Sequence, residues 1–332
     1  MKTFTLHKSL LSLALGAALI AAGASTFAQT FPAKPVSVVV PFAAGGPTDV
    51  VARALADVMT KNLGQSVIVD NRAGAGGTVG TNIVAKAQAD GYTLLLMHIG
   101  FTTAPSLYRK RKLPYDVTKD FEPVGLIVDV PMTIIAHNDV PAKNYKEFEA
   151  YLRNNTSKIN MANAGVGSAS HLCGMLLTST LNLNLTTVPY GGTGPAMTAL
   201  RGKQVDFMCD QSTNTTSQIN SKSVKAIAVT SAKRMPTLPD VPTLDESGLK
   251  KFQLGVWHGL WAPKGTPKPV LDKLVASLQS ALEQPIFRGR MQVLGATVYD
   301  KKESSPAALD AQVKGDLVKW AGVIEKAVVF AE

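Results

Sequence analysis

The chain has 332 residues, 45% of them hydrophobic and 17% charged, with a formal net charge of +10. That length is enough for two compact domains with their own cores, and the composition excludes an intrinsically disordered chain. Its basic residues are scattered, and the single dense run, Arg109-Lys110-Arg111-Lys112, reads as a solvated loop. Nucleic acid, which needs a basic stripe with stacking aromatics, is therefore not an expected partner.

Lys2 and Lys8 form a short basic start, and Leu10 to Ala22 is an apolar run too short to span a bilayer comfortably. Small residues follow, with candidate cleavage points after Ala24 or Ala28. Residues 1–28 thus read as a secretory signal peptide, and the protein as exported. No Cys follows the small residues, so a lipid anchor is not expected.

Val36–Val40 is a β-branched strand. The loop Phe42–Pro47 leads to Thr48, which is read as a helix N-cap, with Asp49 in the first turn and Gly64 as the stop. Val67–Val69 is a second strand, Asn71–Gly77 a glycine-rich loop, and Thr78 to about Ala87 a helix. Tyr92–Met97 is a buried strand. A second cycle starts near residue 130. It has strands at Ile159–Met161, Thr186–Val188, Val205–Cys209 and Ala226–Val229, a helix at His171–Leu181, and Pro195 at the first position of another. Phe252–Trp261 reads as a strand crossing back, followed by helices at Pro267–Leu282 and Pro306–Ala327. Alternating strands and helices predict an α/β fold, with a mainly parallel sheet flanked by helices in each of two lobes. Residues 29–129 and 254–332 are expected to form a discontinuous domain 1 and residues 130–253 a domain 2, with a ligand cleft between them and a hinge at the two crossings. For Cys173 and Cys209, buried thiols are the preferred reading and a bridge the alternative, since pairing depends on a Cα separation that sequence does not give.

Four polar, glycine-rich loops each follow a strand and lead toward a helix. Ligands of open α/β sheets sit at such strand ends, and helix N-termini there favour anions. The candidate binding residues are Phe42, Ala43, Gly46, Pro47, Thr48 and Asp49 in the first loop, and Gly77 and Thr78 in the second. The third contributes Asn163, Ser168 and Ser170, and the fourth Tyr190, Gly191 and Thr193. His98, after the third strand, is a further candidate. Enzymatic signatures fit poorly. Gly74 to Gly80 has GxGxxxG spacing, not GxGxxG, and no GxxxxGK[ST] loop is present. Gly167-Ser168-Ala169-Ser170-His171 does not match a GxSxG nucleophile elbow, and the histidines lack metal-ligand spacing. No catalytic residue, metal or cofactor is expected. An exported serine hydrolase using Ser168 or Ser170 is the rival class.

Several motifs carry a family resemblance. They are Phe31-Pro32-Ala33-Lys34-Pro35, Val40 to Asp49, Val69 to Gly77, Asp90 to Leu95, Leu113 to Asp116, Asp120 to Val124, Val188 to Pro195 and Leu238 to Thr243. Together they resemble the Bug family, the periplasmic solute-binding proteins of tripartite tricarboxylate transporters. The resemblance implies a two-lobed, type II-like Venus flytrap in the periplasm, without catalysis, probing a small mono- or dicarboxylate, aliphatic or aromatic. It also implies the membrane components of such a transporter as partners, and the chain is expected to be a monomer. A sensory binding protein signalling to a membrane receptor is the alternative use of the same fold. By the same resemblance Asp210 matches the family's acidic residue after a second-lobe strand. Gln211, where the family often has Asn, and His98 are candidates for setting specificity.

Overall fold

The computed structural model describes residues 31–327, so the signal-peptide expectation for residues 1–28 lies outside it. β-branched Val36–Val40 makes β1, nearly buried on both faces, as a central strand must be. α1 (Pro47–Leu63), β2 (Val67–Asn71), α2 (Thr78–Ala85), β3 (Thr93–His98) and α3 (Gly100–Leu107) complete the opening run. β4 (Phe121–Ala136) is three times the length of its predecessors. After it come α4 (Tyr145–Asn154), β5 (Asn160–Asn163), α5 (Ala169–Leu181), β6 (Thr186–Pro189), α6 (Thr193–Arg201), β7 (Phe207–Gln211), α7 (Ser212–Asn220) and β8 (Lys225–Val229). β9 (Gly255–Pro263), α8 (Lys268–Glu283), α9 (Pro285–Val293), β10 (Thr297–Val298) and α10 (Pro306–Ala327) close the chain.

The strands run in the order β2-β1-β3-β9-β4-β7-β5-β6, with β8 and β10 also on β4. This is the mixed α/β fold expected. The βα units pair in parallel, β1 with β2 and β3, and β5 with β6 and β7. All the pairs made by β4 and β9 are antiparallel, a component that the expectation of mainly parallel sheets did not include.

β4 joins two sheets. Residues Phe121–Pro131 pair with β9 in the first, and Met132–Ala136 pair with β7 and β8 in the second. The return passage lies beside it and is fastened by one side chain. Thr230, fully buried, accepts from Met132 N–H (2.9 Å) through its hydroxyl oxygen and donates that hydroxyl to Leu254 O (2.6 Å). Both crossings are thereby tied at one level.

Local boundaries differ from the sequence reading for physical reasons. α1 is capped at Gly46, with Pro47 at the first helical position, so Thr48 is not the cap. α6 begins at Thr193 after Gly192, two residues before Pro195. The preferred reading of two free thiols is corrected: Cys173 and Cys209 form a disulfide, with Cα atoms 6.0 Å apart, within normal bridging range. The bridge ties α5 to β7.

Candidate functional site

Four helices of this fold begin in one place. Their starts are Gly46–Thr48 at α1, Ser168–Ser170 at α5, Gly192–Thr193 at α6 and Gln211 ahead of α7, and all of these residues line one cavity together with Phe42, Ala43, His98, Ala164 and Asp210. The first N–H groups of each helix have no partner within it and carry the positive end of its dipole. The cavity lies between the two sheets. It is nearly shut, leaving about 20 Å³ open to the centre of a water-sized sphere, on the order of one water.

The first wall is built rigidly. Asp49 is buried, and its carboxylate accepts from Gly45 N–H (2.9 Å), Arg53 Nε (2.8 Å) and Asn71 Nδ2 (2.9 Å). Burial pushes this carboxyl up, but those donors outweigh it and hold it below its ordinary value. Asn71 Nδ2 also donates to Phe42 O (3.1 Å), so the brace fixes the loop from both ends. Asp49 therefore shapes the wall and does not line the cavity.

Two imidazoles adjoin that wall, and His98 itself lines the cavity. His98 Nδ1 accepts from Gly100 N–H (2.9 Å), which leaves its proton on Nε2, and its ring stacks on Phe42 with centroids 4.6 Å apart. His258 Nδ1 lies 3.1 Å from Val256 O and so carries the proton. Its Nε2 then accepts the Thr48 hydroxyl at 3.4 Å. Burial, reinforced by His258, holds His98 well below its usual range, and burial takes His258 down to about 3. Both rings are neutral near pH 7.

The second wall carries Ser168, Ser170, Thr193, Asp210 and Gln211. Ser168 Oγ caps α5 by accepting from His171 N–H (3.1 Å). Ser170 donates its hydroxyl to Cys209 O (2.6 Å), which locks α5 to β7 beside the disulfide. Asp210 Oδ2 accepts from Asn214 Nδ2 (2.9 Å), its Oδ1 lies 3.5 Å from the Thr193 hydroxyl, and the Gln211 backbone N–H also donates to the carboxyl. Burial raises Asp210 to about 7.

Other candidates lie nearby or elsewhere. Gly77, Tyr190 and Gly191 line an adjoining cavity that shares Phe42 and Ala43. Thr78 donates its hydroxyl to Ala75 O (2.9 Å), and Asn163 is buried with Oδ1 accepting from Gly165 N–H (2.9 Å); neither lines these cavities. Sequence reasoning did not single out Ala164 and Ala169, which have no polar side-chain signature.

The arrangement offers hydrogen-bond donors in a narrow cleft and lacks an assembled nucleophile. The Ser170 proton is given to a carbonyl. The His171 ring accepts from Gly167 N–H (3.3 Å) and lies on a different pocket, against Met175 and Thr178. Neither serine has the imidazole base that a hydrolase of this kind uses. Among the described residues no group of His, Cys, Asp and Glu could hold a metal ion, and no helix is long and apolar enough to cross a membrane.

A cavity lined from both sheets by helix starts is of the kind in which solute-binding proteins hold their ligands. Residues 51–328 match the model of the tripartite tricarboxylate transporter family receptor, TctC, and the chain belongs to that family, whose members are periplasmic solute-binding proteins and not enzymes. The structure is similar to that of the periplasmic binding protein BugD, with 59% identity and a TM-score of 0.88 over 91% of this chain and all of that one. It is also similar to MatC from Rhodopseudomonas palustris with bound malate, at 43% identity and a TM-score of 0.85 over 89% of this chain and all of that one. A UPF0065 protein from the ttuE-ttuC' intergenic region of Agrobacterium vitis is 47% identical over 90% of this chain and 86% of its own length.

Proposed function

We propose that this protein captures a small carboxylate in the periplasm and delivers it to the membrane components of a tripartite tricarboxylate-type transporter. The observation that carries the reading is the convergence of four helix N-termini, from both sides of the cleft, on a cavity lined by neither Lys nor Arg. Neutral N–H dipoles stabilise an anion without a buried counter-charge. The malate bound to MatC supports a carboxylate as that anion.

In this reading residues 29–129 with 254–332 form one lobe and residues 130–253 the other, and the chain acts as a monomer. The lobes swing about the paired crossings at Pro131–Met132 and Leu254–Gly255, where the Thr230 clasp keeps the strands in step. Contacts across the cleft support closure by close backbone approach. A Cβ on Gly76, whose φ is +62°, would collide with Val166 O, and one on Gly192 would come within 3.1 Å of Ala43 Cβ.

The test is thermal unfolding of ligand-free mature protein against mono- and dicarboxylates, aliphatic and aromatic. A ligand that binds only the folded state at about 100 times its Kd adds about 2.7 kcal/mol. At least one carboxylate is expected to raise Tm by a few degrees. No rise with any of them would refute the proposal.

A further inference from the structure

Outside the cleft, a second cavity opens against α5, the turn that follows it and β6, with Lys326 of α10 at its side. It shares no lining residue with the cleft cavity. On the measure that gives about 20 Å³ for the cleft it has about 470 Å³, room for a small organic molecule.

The polar groups around it lack partners. His171 is only 6% exposed. Its Nδ1 accepts from Gly167 N–H (3.3 Å), which puts the ring proton on Nε2. Burial takes the imidazole down to about 4, so the ring is neutral near pH 7. The Nε2–H meets no acceptor among the described residues. The Lys326 ammonium has no partner among them either, and no acidic side chain lines the cavity. The side chains of Ser179, Asn182, Asn184 and Thr187 are likewise unpaired. Met161 and Met175, both buried, add an apolar floor.

A buried N–H left unmet is costly, and it asks for an acceptor. A lone ammonium asks for a negative charge. An anion supplies both. The amides and hydroxyls beside them can each donate and accept, which suits a ligand carrying hydroxyl groups of its own. The single cation matches a single negative charge.

We infer that this cavity is a second binding site, for a small hydroxylated monoanion, with Lys326 as its charge partner and His171 Nε2–H as its buried donor. The site does not depend on what the cleft captures. Its occupant bears on α5, whose first residues, Ala169 and Ser170, line the cleft, so one helix serves both sites.

The test is NMR of the mature protein with its histidines labelled with nitrogen-15, titrated with gluconate, hexanoate and glucose. These six-carbon probes separate charge from hydroxyl groups. Gluconate should shift the His171 Nε2 signal and saturate it. Hexanoate, without hydroxyls, and glucose, without charge, should each bind at least about threefold more weakly. Lys326→Ala and Asn184→Ala change exposed side chains and should leave the fold intact. The first should weaken gluconate about tenfold and the second about threefold, as loss of a charged and a neutral hydrogen bond would. An unmoved His171 signal with gluconate means that water meets the donor, and overturns the inference. A His171 shift that keeps the midpoint of the His98 shift and survives Lys326→Ala unchanged overturns it too, because it reports a cleft ligand acting through α5. Equal binding of glucose overturns the role of charge, and equal binding of hexanoate that of the hydroxyls.

Discussion

Two buried aspartates, one on each wall of the cleft, show a division of labour. Asp49 is met by three donors and held ionised, and its work is to fix the loop Phe42–Thr48 and the start of α1. Asp210 is also buried and is reached by the Gln211 N–H, Asn214 and Thr193, but there burial outweighs neutral donors and pushes the carboxyl up to about 7. Asp49 has a cation, Arg53, among its donors, whereas Asp210 faces the cavity with neutral donors alone. In the proposed reading the first wall is a braced set of donors and the second wall carries the titratable carboxyl.

The largest effect is expected from removing the disulfide that anchors the second wall. Replacing Cys173 and Cys209 together by Ser should lower unfolding stability by about 2–4 kcal/mol, measured by urea denaturation. Ligand affinity should fall as well, because Cys209 O receives the Ser170 hydroxyl and Asp210 is the next residue. Full affinity in the double variant would mean that the second wall does not depend on its anchor.

Asp49→Ala should cost about 2–3 kcal/mol by stranding the Gly45 and Asn71 donors, measured in the same way. Asp210→Ala, by contrast, should spare stability and damage binding. If the two variants behaved alike, the division between the walls would fail.

Gly76→Ala addresses closure. The added methyl would collide with Val166 O in this structure, and under the proposed closure that clash should fall on the closed form. We expect about a tenfold loss of affinity by calorimetry, with a stability cost of about 1–2 kcal/mol for an L-residue in that backbone region.

The pH dependence separates the two carboxyls by sign. Folding raises Asp210 from 3.8 to about 7, so over that interval the folded chain holds a proton that the unfolded chain has released. Stability from this group therefore falls as pH rises from about 4 through about 7. Ligand-free Asp210→Asn should melt higher than wild type at pH 8, by a margin that shrinks at pH 5. Asp49 is held below 3.8, and its contribution is present above that value and lost as pH falls through the lower folded one. Asp49→Asn should melt lower at pH 7, with the deficit closing at strongly acid pH. Differential scanning calorimetry at several pH values reads both trends.

The smallest effect is expected at Thr48. Its hydroxyl makes one long bond to His258, so Thr48→Ala should weaken ligand binding only several-fold, about 0.5–1.5 kcal/mol. Calorimetric titration would detect it.

How far the sequence foretold these features depends on the range of the interactions involved. β1, β2 and β3 are runs of β-branched and aliphatic residues, and periodicity alone finds them. The first half of β4 escaped because Pro123, Gly125 and Pro131 interrupt it; its pairing with β9, with shifts of register at two points, tolerates them. α3 escaped because Pro105 sits inside it. Thr48 read as a cap because the residue that engages its hydroxyl lies 210 positions away. The disulfide was undecidable for the same reason, since 36 residues of sequence separation say nothing of a 6.0 Å approach. The glycine-rich loops did mark the strand ends that meet at the cleft. Asp49 is met by the protein's own donors and lies off the cavity lining, a difference that sequence does not register, because an acidic residue at a helix start looks the same whether it serves a solute or the protein's own loop.

Native mass spectrometry of protein released gently from the periplasm bears most directly on the central claim. The account predicts one retained small molecule per chain, carrying a carboxyl group and exchanging with added carboxylate. A retained neutral or purely cationic solute, or chemical conversion of the bound molecule on incubation, would contradict it.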